Sequence, residues 1–226
     1  MDHQRIFDKE LEELKDSVLK MGVMVQGLIH KAVEAVKNQD QKMAEEVIRE
    51  DEKVDQLELE IDEKCIELIA LRQPEASDLR FLTTAMRMVT DLERIGDLAE
   101  DISERVMDLV DKPLVKQLVD LPKMAKLAQD SVSIVLDSFV NRDSQKVRKV
   151  WENEKEINRL RDTIREELSE IMTKEPGTVP SAIPLLLISR HLERISDHIT
   201  NIAEDLVYMV EAKVIKHGGF REEKQN

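Results

Sequence analysis

One short motif occurs twice in this chain, about 100 residues apart. The segment DLERIGDLAEDI spans residues 91–102, and HLERISDHITNI spans residues 191–202. The similarity extends upstream, where residues 38–61 align without a gap to residues 141–164. A long internal repeat of this kind indicates that the chain is built from two copies of one supersecondary unit, and that both copies fold in the same way.

Each unit contains three helical segments. Apolar residues recur at alternating spacings of three and four, as in Leu11, Leu14 and Val18, which is the pattern of a helix with one buried face. Aromatic residues make up only 3% of the chain, whereas Ala, Leu, Glu and Lys are plentiful, and this composition favours helix over strand. We therefore predict an all-α fold of two tandem, pseudo-symmetric three-helix bundles, at residues 1–112 and 120–215, with six long helices in total.

Prolines, glycines and polar residues set the expected helix boundaries. Pro74 ends the second helix, and Ser77 is the expected N-cap of the third. The tail from 216 to 226 contains glycines and then charged residues, so we expect it to be flexible. The expected helices cover residues 4–38, a second segment that ends at residue 72, and then residues 77–110, 123–141, 143–174 and 181–214.

The charge of the chain limits its partners. Forty-eight acidic and 34 basic residues give a net charge of −14, which repels nucleic acid and anionic lipid, so we expect no direct nucleic-acid binding. The sequence contains neither the apolar core of a signal peptide nor a run of roughly 18 apolar residues, so membrane association is expected only at the periphery, through a partner. Cys65 lies among aliphatic residues and is typical of a buried thiol in a reducing cytoplasm.

The repeated motif places two carboxylates on one helical face. Glu93 and Asp97 are one turn apart, and an apolar stripe on the same face leads directly to them. In the preceding helix, the buried seam is interrupted by Asp51, and Asp55 follows one turn later. Because consecutive helices of such a unit run antiparallel, we expect the two acidic pairs to face each other. The oxygen-bearing residues expected at the two sites are Asp51, Asp55, Glu93, Asp97 and Asp101 in the first repeat and Glu154, Asn158, Glu193, Asp197 and Asn201 in the second.

Crowded carboxylates must be neutralised, because they repel one another and their apolar surroundings make each charge more costly. Oxygen ligands without thiolates select hard cations, so Mg²⁺, Mn²⁺, Ca²⁺ or iron are better candidates than Zn²⁺. The alternative is structural ion pairing, with Arg94, Arg194 or lysines of a neighbouring helix. His191 and His198 have no counterparts in the first motif, and we expect both to be exposed to solvent.

Motifs for catalysis do not occur in the sequence. A di-iron oxidase of the helical-bundle type needs Glu-x-x-His pairs, and no histidine here follows a glutamate at that spacing. A glycine-rich phosphate loop, a GxSxG elbow and an HExxH zinc motif are missing as well. We therefore expect a non-enzymatic protein. The alternative is a carboxylate–metal enzyme or a metal-storage protein on a helical bundle.

Four separated segments of the chain resemble the PhoU family of phosphate-specific transport system accessory proteins. These segments are EDEKVDQLE, RQPEASDLR, DLERIGD and HLERISDHITNIAEDLVYMV, which begin at residues 50, 72, 91 and 191. The resemblance covers nearly the whole chain and implies a cytoplasmic, often homodimeric, negative regulator of phosphate uptake and of the phosphate-starvation response. Its implied partners are the PstSCAB transporter, through the ATPase PstB, and the sensor kinase PhoR of the PhoR–PhoB system.

The resemblance also implies metal clusters on paired E(D)xxxD motifs. Asn158 departs from that pattern, so weaker metal binding is expected in the second repeat. Ser196 stands where the first repeat has Gly96, and we expect little effect from this change between small residues. Carried over position by position, the implied ligands are Asp51, Asp55, Glu93 and Asp97 in the first repeat and Glu154, Asn158, Glu193 and Asp197 in the second.

Overall fold

Helices account for nearly all of the described structure. The computed structural model describes residues 2–214, with side chains from residue 6 onward. Between residues 2 and 214 the chain forms six α-helices, one short 3-10 turn and no strand, which confirms the all-α prediction. The predicted flexible tail, residues 216–226, lies outside the described residues. In chain order the elements are α1 (Asp2–Asn38), α2 (Gln41–Arg72), α3 (Ala76–Met107), α4 (Asp120–Asn141), α5 (Arg148–Lys174), the 3-10 turn (Pro176–Thr178) and α6 (Val179–Glu211).

The six helices form two three-helix bundles that pack side by side. The helices α1, α2 and α3 contact one another, and so do α4, α5 and α6. The two bundles meet where α1 packs on α4 and α3 packs on α6, so the buried apolar residues form one core that runs through both. The predicted pair of tandem three-helix bundles is confirmed, and the residue bounds 1–112 and 120–215 remain predictions.

Helices α1 and α4 approach each other closely. At Gly22 an added Cβ would lie 2.5 Å from the Leu136 side chain, so a larger residue here would have to displace that side chain. The Gln26 amide donates hydrogen bonds to the Gln129 carbonyl at 2.7 Å and to the Ser133 hydroxyl at 2.6 Å. Gly22 thus lies opposite Leu136, and Gln26 lies opposite Gln129. Residue numbers rise along α1 while they fall along α4, so the two helices run antiparallel.

Two helix starts differ from the sequence-based expectation. Glu75, rather than Ser77, occupies the N-cap position of α3, and its side chain makes no hydrogen bond to the helix. Helix α5 begins at Arg148 instead of residue 143, because Asp143 accepts a hydrogen bond from the Gln145 backbone N–H at 3.0 Å and holds a turn. Short polar side chains that bond to their own following backbone compete with helix formation in this way. The other helix ends agree with the expectation to within three residues.

Each helix buries an apolar face and exposes a charged one. Cys65 belongs to the buried face of α2, and burial raises the pKa of its thiol to about 12, as expected for an unreactive core residue. Between residues 2 and 214, none of the helices combines the length and the apolar character that crossing a bilayer requires.

A side chain caps the N-terminus of α2. Asp40 accepts a hydrogen bond from the backbone N–H of Met43 at 3.1 Å. We expect Asp40→Ala to lower the free energy of unfolding by about 1 kcal/mol, because this N–H loses its acceptor at the end of a helix. Urea unfolding followed by circular dichroism measures the change. Glu75→Ala is the matched control, since Glu75 makes no capping bond, and equal losses in the two variants would contradict the capping role.

Candidate metal centre

Two antiparallel helices bring acidic residues of the first repeat together. After α2, Gln73 takes a left-handed backbone conformation with a φ of 47°, and Pro74 follows, so the chain reverses into α3. Asp51 and Asp55 on α2 thereby face Asp97 on α3, and one carboxylate oxygen from each residue lies within 4.8 Å of the other two. Oxygens that share one hard cation at roughly 2.0–2.6 Å lie at most about 5 Å apart, so this spacing suits a single bound ion.

Asp51 is the buried member of this cluster. The residue is only 2% exposed, and its Oδ1 atom has no hydrogen-bond partner. Asp97 is half-buried and Asp55 is exposed, so the cluster is open to solvent on one side. A buried carboxylate oxygen without a partner is destabilising, and a cation is the group that would satisfy it.

Burial and mutual repulsion raise the pKa of the acids in the cluster. The pKa of Asp51 rises to about 7, mainly because of burial and then because of the negative charges of Asp55, Glu100, Asp97 and Glu93. Burial is also the main cause that raises the pKa of Asp55 and of Glu93, followed in both cases by the charge of Asp97. Without a cation the cluster therefore holds protons more tightly than isolated carboxylates do.

Arg94 neutralises only the outer part of the cluster. Its guanidinium lies 2.7 Å from Asp97 and 3.3 Å from Glu93, and its side chain is 55% exposed. The ion pairing that we considered as the alternative to a metal is thus present for these two acids. It does not extend to Asp51, whose Oδ1 atom remains without a hydrogen-bond partner.

Gly96 makes room for the Asp51 carboxylate. An added Cβ at residue 96 would lie 2.3 Å from Asp51 Oδ1, far inside the contact distance of a carbon and an oxygen. Any larger residue at this position must therefore displace Asp51. The expectation that the change from Gly96 to Ser196 has little effect stays a prediction, because the second repeat also has a different acid opposite this position. The first repeat combines glycine with the short Asp51, whereas the second combines serine with the longer Glu154.

Glu100 is a cluster residue that the sequence reasoning missed. Its negative charge contributes to the raised pKa of Asp51, and burial raises the pKa of Glu100 itself. Glu100 follows Glu93 by seven residues, and two turns of helix return a side chain to nearly the same face. This spacing is the sequence signal that would have identified it in place of Asp101.

Asp101 and Asn201 lie between the two bundles and not within the acidic clusters of their repeats. Asp101 is 3.5 Å from His191 on α6, and the Asn201 amide donates to Asp91 on α3 at 3.4 Å. His198 also contacts Asp91, at 2.8 Å. The expectation that both histidines are exposed was wrong, because their side chains are only 17% and 23% exposed against α3. Asn201 therefore links α6 to α3, whereas Asp101 only lies near His191, whose Nδ1 atom makes no hydrogen bond and whose pKa is lowered by burial.

The predicted site of the second repeat contains ion pairs. Glu193 is only 10% exposed and pairs with Arg161 of α5 at 3.4 Å and with Arg190 of its own helix. Burial is the main cause that raises the pKa of Glu154, Glu193 and Asp197, and the charge of Asp197 adds to the rise for the two glutamates. For Asp197 itself, the nearby arginines oppose the effect of burial. Within residues 2–214, the first repeat alone holds three acidic groups with ligand atoms within 4.8 Å of one another.

Known proteins share this doubled arrangement. The sequence profile of the PhoU domain matches residues 18–106 and again residues 121–206. A phosphate-specific transport system accessory protein PhoU homolog from Aquifex aeolicus is 39% identical over 95% of this chain and 97% of its own length. The phosphate-specific transport system accessory protein PhoU of Escherichia coli is 33% identical over 94% of this chain and 88% of its own length.

Solved structures of PhoU proteins match this chain as well. The crystal structure of PhoU from Pseudomonas aeruginosa matches with a TM-score of 0.87 at 33% identity, over 92% of this chain and 100% of that one. The phosphate transport system regulatory protein PhoU from Streptococcus pneumoniae also gives 0.87, at 32% identity, over 93% of this chain and 100% of its own. Sequence and structure agree over both repeats, and the chain belongs to the PhoU family.

Proposed function

We propose that this protein is an accessory protein of a phosphate-specific transport system, and that it restrains phosphate uptake and phosphate-starvation signalling when phosphate is ample. The observation that carries the proposal is the family match over both repeats, with relatives named for that transport system. The relative from Streptococcus pneumoniae is named as a regulatory protein. The proposed role is therefore regulatory and non-enzymatic.

In this proposal the protein acts as an adaptor in the cytoplasm, between the transporter ATPase PstB and the sensor kinase PhoR. Its long helices offer extended charged surfaces, which suit docking to other proteins. Docking that favours one state of a partner shifts that partner's conformational equilibrium, and this is how a protein without catalytic groups can restrain a transporter or a kinase. A homodimer is also part of the proposal, and size-exclusion chromatography with light scattering tests it.

The proposed adaptor carries a divalent or iron cation in its first repeat. Asp51, Asp55 and Asp97 would hold the ion, with Glu93 and Glu100 at the edge of the cluster. The supporting observation is the buried Asp51 Oδ1 atom, which has no hydrogen-bond partner. A bound Mg²⁺, Mn²⁺ or iron ion would neutralise this part of a strongly acidic protein and fix the relative positions of α2 and α3.

Co-purification with PstB tests the adaptor role and the contribution of the metal. Tagged PstB is expected to retain the wild-type protein in the presence of Mn²⁺, and to retain Asp51→Asn/Asp97→Asn roughly tenfold less, because the variant cannot hold the ion that shapes this surface. Glu63→Gln, which changes an exposed acid more than two turns of α2 beyond Asp55, is the control for a change in charge. Equal retention of the variants would remove the metal from the docking mechanism. Absence of wild-type binding would contradict the adaptor role itself.

A further inference from the structure

We infer that only the first repeat carries a metal-responsive site, and that Arg161, assisted by the more exposed Arg190, supplies the counter-ions that close the second site to divalent cations. This inference rests on the proposed metal binding of the first repeat. It assigns different roles to two sites that the duplicated scaffold places at equivalent positions.

The two repeats differ in charge at three positions around their acidic pairs. With the offsets of the internal repeat, Glu58 corresponds to Arg161, Thr90 to Arg190, and Asp55 to Asn158. In the first repeat the Thr90 hydroxyl donates to Glu58 at 3.3 Å, which places one more acid beside the cluster. In the second repeat the same two positions supply the guanidinium groups that bind Glu193.

These substitutions remove the charge that a cation would balance. In the first repeat, six acids are accompanied by Arg94, which gives a formal charge of −5. The equivalent positions of the second repeat hold three acids and three arginines, which gives a formal charge of zero. The first set consists of Asp51, Asp55, Glu58, Glu93, Asp97, Glu100, Thr90 and Arg94, and the second of Glu154, Asn158, Arg161, Glu193, Asp197, Thr200, Arg190 and Arg194.

The position of Arg161 makes its ion pair durable. Its side chain is 24% exposed and reaches from α5 to α6, where its partner Glu193 is 10% exposed. Arg94 of the first repeat is 55% exposed and lies on the same helix as both of its partners. A partly buried ion pair between two helices is screened less by solvent than an exposed pair within one helix, so Arg161 is the harder of the two to displace.

Binding of Mn²⁺ to matched double variants of the full-length protein tests this inference. Isothermal titration calorimetry of chelator-treated protein compares the wild type with Asp51→Asn/Asp97→Asn and with Glu154→Gln/Asp197→Asn, which alter equivalent positions. We expect the first variant to lose affinity by about 100-fold or more, and the second to keep the wild-type affinity and stoichiometry. Circular dichroism verifies that each variant is folded.

Exchange of residues between the repeats tests the part played by the arginines. Asn158→Asp/Arg161→Glu/Arg190→Thr gives the second repeat the residues of the first, and we expect it to gain a class of Mn²⁺ site. Asp55→Asn/Glu58→Arg/Thr90→Arg makes the reverse exchange, and we expect it to weaken the first site by about 100-fold. Each exchanged residue already occurs at the equivalent position of the other repeat, so the scaffold is compatible with it.

The outcomes separate this inference from the proposed metal site. If the wild type shows neither Mn²⁺ binding nor a shift in Tm, the metal site of the proposed function is wrong. If the wild type binds Mn²⁺ and Glu154→Gln/Asp197→Asn reduces the stoichiometry, the metal site stands and the inference of a closed second repeat is overturned. A second repeat that gains no site after the exchange would overturn the role of Arg161 and Arg190.

Discussion

Replacement of Asp51 by asparagine is expected to stabilise the metal-free protein at pH 8 by about 2–4 kcal/mol and to abolish its tight binding of divalent cations. The carboxylate is buried among other acids, and its pKa is raised to about 7. Each unit by which folding raises the pKa of an acid destabilises its ionised form by about 1.4 kcal/mol. The asparagine amide removes this charge and can donate hydrogen bonds to the neighbouring carboxylates.

The expected stabilisation depends on pH in a defined direction. In the folded metal-free protein Asp51 keeps its proton up to about pH 7, whereas an unfolded aspartate loses it near pH 4. Between these values the folded state binds more protons than the unfolded state, so the free energy of unfolding of the wild type falls as pH rises. Near pH 5 only a small part of this loss has occurred, so the stability advantage of the Asp51→Asn variant should be much smaller there than at pH 8.

Thermal unfolding at pH 5 and pH 8, with and without Mn²⁺, measures both effects. At pH 8 without metal, the Tm of Asp51→Asn should exceed that of the wild type by roughly 5–15 °C. Saturating Mn²⁺ should raise the Tm of the wild type and leave that of the variant unchanged, because only a bound ligand stabilises the folded state. Glu63→Gln controls for the loss of an exposed acid on the same helix. A lower Tm for Asp51→Asn at pH 8 would show that the buried carboxylate is not a destabilising group.

The fold was predictable from the sequence because its determinants are local and periodic. The apolar spacing and the repeat identified all six helices and their grouping into two bundles. The start of α5 was misplaced because residues 143–147 form turns, in which the Ser138 hydroxyl donates to the Asp143 carbonyl and the Ser144 hydroxyl to Glu211 of α6. A bond to a residue 67 positions away leaves no signal in local periodicity.

The sequence predicted the contacts of the candidate site correctly only where those contacts form within one repeat. The pairing of Asp51 and Asp55 with Asp97 follows from an antiparallel helix pair within the first bundle, and the structure contains it. The placement of His191 depends on the contact of α3 with α6, which joins different bundles, so its helix pattern alone suggested exposure. The close fit of Gly96 to Asp51 depends on how nearly α3 approaches α2 at this point, which residue spacing does not encode.

The two repeats share their buried core residues and differ in the charged residues beside their acidic pairs. Leu92 and Ile95 recur as Leu192 and Ile195, and all four are fully buried, because both bundles need the same core. Charged positions next to the acids are free of that packing requirement. Differences such as Glu58 against Arg161 therefore alter the electrostatics of a site without altering the fold that presents it.

Substitution of Gly96 by alanine is expected to weaken Mn²⁺ binding by about 100-fold while leaving the protein folded. The added methyl group would lie 2.3 Å from Asp51 Oδ1, so the carboxylate must leave its position facing Asp55 and Asp97. Alanine favours a helix over glycine by up to about 1 kcal/mol, and this gain offsets part of the steric cost. The variant should therefore lose metal affinity with little change in Tm, which calorimetric titration and thermal unfolding measure together.

Gly27→Ala provides the matched control for this prediction. Gly27 lies on α1, where an added Cβ meets no atom within 4 Å, so alanine there should stabilise the helix by about 0.5–1 kcal/mol without affecting Mn²⁺ binding. The steric mechanism also predicts coupling between residues 96 and 51. In an Asp51→Ala background the carboxylate is gone, and Gly96→Ala should then be as stabilising as Gly27→Ala. If Gly96→Ala has the same effect on stability with and without Asp51, the methyl group does not conflict with the carboxylate and the loss of metal affinity needs another cause.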